Sequence, residues 1–144
     1  VVFGKKMGLS ESAAARVDSL KIGFQLWAKR PILGHGIPAG VVVDNQYTRV
    51  LSETGLLGIL AFFWIIYCLF SFGWGTYKNT QGDNFSQAVS LGLLAGLSGL
   101  LAHSFSSATF ILIRVMEPFW FLAAIVLVLP ELVTQEKAAS GINE

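Results

Sequence analysis

Polar and apolar positions alternate along this chain in blocks rather than residue by residue. From Gly55 to Trp74 twenty residues carry no charge and are rich in Leu, Ile and Phe, about the length a helix needs to cross roughly 30 Å of hydrocarbon. A second apolar run, Ala88 to Ala102, reaches spanning length when extended through Ser86, Gln87 and His103. A third starts near Thr109 and ends at Pro130, interrupted only by Arg114 and Glu117. The pattern predicts three transmembrane helices, at about 55–74, 86–104 and 109–130, and an all-α, polytopic membrane fold. Thr76 to Asn84 reads as a polar hairpin, His103 to Ser107 as a tighter polar turn, and 131–144 as a polar cytoplasmic tail.

The first 54 residues follow a different period. Ala13, Val17, Leu20, Phe24 and Trp27 recur at intervals of four and three, which builds one apolar helix face. Ser10 is a candidate N-cap with Glu11 in the first turn, and Pro31 ends the helix by forcing its predecessor out of helical geometry. This helix lies on the membrane or docks on the protein. Gly34, Gly36, Pro38 and Gly40 then form a tight loop where backbone can approach closely. Asp44 or Asn45 can cap a short helix to about Glu53, and Gly55 permits a bend before the first span. On the second span, Gly92, Gly96 and Gly99 form a small-residue packing seam.

An apolar share of 53% against 13% charged residues agrees with a membrane class. The lone Cys68 excludes an intramolecular disulfide and a cysteine metal site, and no metal-ligand spacing or cofactor motif is present. No nucleic-acid reading motif accompanies the basic residues. The chain opens on Val, lacks a signal-peptide pattern, and reads as the C-terminal piece of a larger protein, inactive by itself.

Three segments carry a resemblance. Arg16, Trp27 and the loop Arg30 to Gly36 come first; the run Asp44 to Gly58 (DNQYTRVLSETGLLG) comes second; a His-Ser turn followed by a last span, His103 to Pro130, comes third. In this order they resemble the O-antigen ligase and polysaccharide polymerase superfamily of bacterial envelope proteins, from about Arg16 to Pro130. The resemblance implies a multi-pass, metal-independent inverting glycosyltransferase of the bacterial inner membrane. Such an enzyme moves glycan from an undecaprenyl-pyrophosphate carrier to an acceptor glycan or lipid in O-antigen, capsule or exopolysaccharide assembly, with residues 1–54 as an extracytoplasmic loop. Arginines suit the pyrophosphate leaving group, since a guanidinium binds phosphate oxygens in bidentate fashion and keeps its charge. The acceptor hydroxyl needs a base. The family position usually held by a catalytic His is Asp44 here, followed by the expected Asn45; the departure tilts the reading towards a polymerase.

Each side chain also has a plainer role. Asp44 can cap the helix that follows. Arg16 and Arg30 are both candidates for the pyrophosphate, but fourteen residues apart they are separated by about 20 Å on a continuous helix; Arg16 matches the family, while Arg30 also suits a solvated helix end. Arg49 can pair on the surface with Glu53, four residues on, or face the carrier phosphate. His35, in a glycine loop that a ligand can approach, and His103, at the end of a span, are further candidate site residues, as is Arg114, which is also spaced for Glu117 to neutralise it within the membrane. A transport or export component with His103, Arg114 and Glu117 along a polar path is the alternative function, and a noncatalytic membrane fragment is the plainest. Seven of the ten Lys and Arg precede the first span, which by the positive-inside rule places them in the cytoplasm. The rule is strongest for short loops close to spans, so the family orientation is kept.

Overall fold

The computed structural model describes residues 9–37 and 45–140. Asp44 and Gly40 lie outside the described residues. Those that are described form four α-helices and no strand: α1 (Leu9–Lys29), α2 (Gln46–Asn79), α3 (Asn84–His103) and α4 (Ile113–Ser140), with a 3₁₀ turn at Thr109–Ile111. The all-α expectation is met, and three of the helices, α2, α3 and α4, are long and apolar enough to cross a membrane. The chain divides into two compact units, one of Val1–Ala61 with Ser104–Ala108, the other of Phe62–His103 with Thr109–Glu144.

In the second unit, α2, α3 and α4 bury a cluster made of Ile66 and Leu69, Leu93 and Leu97, and Met116, Phe119, Ala123 and Val126. Leu97 and Val126 are fully enclosed. The opposite surfaces carry Phe63, Trp64, Tyr67, Phe72, Phe121 and Leu132 in the open, an arrangement stable where the surroundings are as apolar as the core. Asp83 starts α3 by accepting from the backbone N–H groups of Phe85 at 3.1 Å and Ser86 at 3.4 Å, an N-cap on two otherwise orphaned donors.

The last helix does not stop at Pro130: α4 runs on to Ser140. A proline inside a helix withholds the N–H that residue i−4 should accept, so Pro130 leaves the Val126 carbonyl open within the core. The Thr76 hydroxyl donates to that carbonyl at 3.1 Å, and both residues are buried. The replacement keeps the helix intact across a position at which sequence alone ends it.

Two further expectations are revised. Helix α1 begins at Leu9, which puts Ser10 inside the first turn rather than at its cap. The glycine seam of α3 meets nothing in the described chain, since a Cβ at Gly92, Gly96 or Gly99 would find no atom within 4 Å. Close approach is made instead by Gly73 of α2, where a Cβ would come within 2.8 Å of the Leu94 side chain.

Replacing Thr76 by Val preserves its volume and strips the Val126 carbonyl of its donor. We expect a loss of about 1–3 kcal/mol, the desolvation penalty of one buried acceptor, read as a lowered thermal midpoint in detergent. Thr134→Val, whose exposed hydroxyl bonds the Pro130 carbonyl, is the comparison and should change stability far less.

Candidate functional site

The site is built in the first unit around a break in α2. At Gly55 the backbone has φ 70° and ψ −162°, a region essentially closed to other residues. In an unbroken helix the N–H groups of Leu56 and Leu57 would bond the carbonyls of Ser52 and Glu53. Here those four groups turn to the loop after α1. His35 and Gly36 donate their N–H groups to the Ser52 and Glu53 carbonyls at 3.0 and 2.9 Å. Leu56 and Leu57 donate to the carbonyls of Pro31 and Ile32 at 2.9 and 3.4 Å. The loop thus substitutes for the missing helical turn, group for group. The approach is so close that a Cβ at Gly55 would overlap the Ile32 carbonyl, and one at Gly34, itself at φ 67°, would overlap that of Glu53.

The start of α2 is fixed as firmly. Asn45 is its cap: the Asn45 side-chain oxygen accepts from the Thr48 N–H at 3.1 Å. The amide nitrogen of the same side chain donates to the Phe105 carbonyl at 2.7 Å. The Gln46 N–H donates to the Ser104 carbonyl at 3.1 Å, and the Tyr47 ring packs on Phe105 with centroids 4.8 Å apart. One side chain therefore closes the helix end and holds the turn that follows α3.

These restraints gather Arg16, Ser19 and Leu20 of α1, Asn45, and Phe105 and Ser106 around a small cleft of about 30 Å³. Arg16 is exposed there. Asn45 immediately follows Asp44 in sequence, so the described part of the second segment reaches the cleft although Asp44 itself is not described. Ser19, Phe105 and Ser106 were not singled out by sequence; nothing in their local pattern distinguishes them, and only the Asn45 bond to Phe105 brings the turn to the cleft.

The remaining sequence candidates have other positions. Arg30 is exposed beyond the end of α1, beside Pro31 to Gly34 in a separate shallow depression. Because α1 is continuous up to Lys29, Arg30 does not join Arg16. Arg49 donates its Nε–H to Glu53 Oε1 at 3.0 Å, with 27% of the arginine side chain and 9% of the glutamate side chain exposed. The pair expected on an open surface is instead mostly buried, and the guanidinium is already neutralising a carboxylate. His35 contributes its backbone to the loop, and its Nδ1 is buried with no hydrogen-bond partner among the described residues. His103 closes α3 with Nδ1 2.6 Å from the Thr109 hydroxyl. Arg114 and Glu117 are both exposed, and no ion pair joins them; the expected mutual neutralisation is not formed.

Among the described residues no group of three or more His, Cys, Asp or Glu side chains could hold a metal ion. What the cleft offers is a permanent cation, an amide locked at a helix start, a hydroxyl-bearing turn and an exposed aromatic ring. A cleft of this volume has room for about one water-sized group, so the set can meet a single polar or anionic group of a larger molecule. No family model matches the chain, and neither a curated protein nor a solved structure matches it.

Two outcomes follow from the break in α2 and the ion pair beside it. Gly55→Ala should lower stability by about 2–3 kcal/mol through backbone strain, whereas Gly75→Ala, placed where a Cβ meets nothing within 4 Å, should hold or raise it; thermal unfolding in detergent compares them. Arg49→Ala should lower stability by about 3 kcal/mol by stranding the buried Glu53 carboxylate, and adding Glu53→Ala should restore part of that loss, as a double-mutant cycle reads directly.

Proposed function

We propose that the chain is part of a membrane glycosyltransferase similar to the O-antigen ligase and polysaccharide polymerase superfamily, acting at the extracytoplasmic face of a bacterial inner membrane. The observation that carries this reading is the cleft itself. Arg16, Asn45 and the turn at Phe105 and Ser106 come from the three separate segments on which the resemblance rests, and all line one space.

In this reading Arg16 holds the pyrophosphate of an undecaprenyl-linked glycan and stabilises the charge that grows on it as the glycosidic C–O bond breaks. An acceptor hydroxyl oxygen attacks the anomeric carbon from the opposite side, its proton passes to Asp44, and undecaprenyl pyrophosphate departs. Asn45 fixes the start of α2 next to the base. Arg49 acts on the site through Glu53 and the frame of α2, not as a free phosphate ligand.

The test is glycan transfer in membranes containing the full-length protein. Arg16→Ala should reduce transfer by about 10²–10³-fold, the loss seen when a charge-stabilising donor is removed, with membrane insertion unchanged. Arg16→Lys should recover part of it, and Asp44→Ala should abolish transfer. Undiminished polymer from Arg16→Ala would remove the proposed chemistry from this cleft, and uptake of glycan into vesicles without transfer would favour a transport role.

A further inference from the structure

A second concavity lies in the membrane-spanning unit. Between α2 and α3 an open groove of about 540 Å³ is lined by Tyr67, Phe70 and Trp74 on one side and Leu91, Ala95 and Ser98 on the other. Its shape follows from unequal side chains. The aromatic wall of α2 stands high, while Ala95 and Ser98 leave α3 low. Gly73 lets Leu94 close against α2, which sets the floor. The groove is also dry in character: the Ser98 hydroxyl is satisfied by the Leu94 carbonyl at 2.8 Å.

A cation lies against one of the rings that line the groove. Lys78 lies one turn beyond Trp74 with its ammonium 5.5 Å from the Trp74 ring centre, and Trp74 and Tyr77 pack with centroids 5.6 Å apart. Aromatic rings and a lysine at a helix end mark the depth of lipid headgroups. Among the described residues no carboxylate is paired with Lys78. The nearby Asp83 is turned to the N–H groups at the start of α3. An apolar groove running two helical turns along α2, with an ammonium on the ring at its end that no carboxylate pairs among the described residues, matches a molecule with an alkyl chain and an anionic head.

We propose that this groove seats one acyl chain of an anionic phospholipid, with the headgroup phosphate on Lys78. The site differs from the Arg16 cleft in residues and in ligand, and stands without the glycosyltransferase reading.

Quenching of tryptophan fluorescence by lipids brominated on their acyl chains tests it. In a variant carrying Trp27→Phe, Trp64→Phe and Trp120→Phe, Trp74 is the sole reporter. Reconstituted in phosphatidylcholine vesicles, it should be quenched by brominated phosphatidylglycerol with an apparent affinity about five-fold above that of brominated phosphatidylcholine, and Lys78→Gln should remove the preference. Equal quenching by the two lipids would overturn the proposal, as would a Trp74 shielded from both, the sign of a protein segment in the groove. Native mass spectrometry of the unmodified chain gives a second reading that needs no variant. Phosphatidylglycerol retained about five-fold over phosphatidylcholine from an equal mixture supports the site, and retention in proportion to supply overturns it.

Discussion

The break in α2 at Gly55 is the constraint on which the first unit depends. A helix interrupted there leaves two carbonyls and two N–H groups without their usual partners, and each left unpaired in a buried setting would cost about 1–3 kcal/mol. The loop from Pro31 to Gly36 supplies a partner to all four. Loop and helix are consequently interdependent: the loop has its shape because it completes the helix, and the helix can bend because the loop is present. Gly34 and Gly55 face each other at the contact, where backbone meets backbone and neither position has room for a side chain.

The same principle recurs at Pro130. There a proline removes one donor from α4, and Thr76 of α2 supplies another from across the core. In both places a local rule of helix formation is broken, and a group distant in sequence meets the resulting need. At Pro130, inside the core, no water is at hand to bond the freed backbone. Such repairs also create specific tertiary links where dispersion packing alone would allow neighbouring helices to slide.

The sequence makes the broad architecture legible because membrane spans announce themselves by uninterrupted apolar length. Gly55 to Trp74 lies wholly within α2, and the bend expected at Gly55 is present. Legibility fails where a remote partner decides. Pro130 reads as a stop because Thr76 is 54 positions away and its hydroxyl carries no sequence signal of its destination. The Arg49 and Glu53 spacing foretells their pairing, but burial of Glu53 comes from the surrounding fold. The α3 glycines satisfy a packing pattern without a neighbour among the described residues. At the cleft, Arg16 and Asn45 stand out by residue type and context, while Phe105 and Ser106 become visible only through the hydrogen bond from Asn45 to the Phe105 carbonyl.

Convergence of α1, the start of α2 and the turn after α3 is therefore the claim on which the functional reading rests, and cross-linking between Ser19→Cys and Ser106→Cys in a Cys68→Ser background tests it most directly. Both positions line the cleft. In native membranes a short bifunctional thiol reagent should link this pair much faster than a control pair of Phe24→Cys and Ser106→Cys. Equal, slow rates for the two pairs would contradict the convergence and dissolve the site.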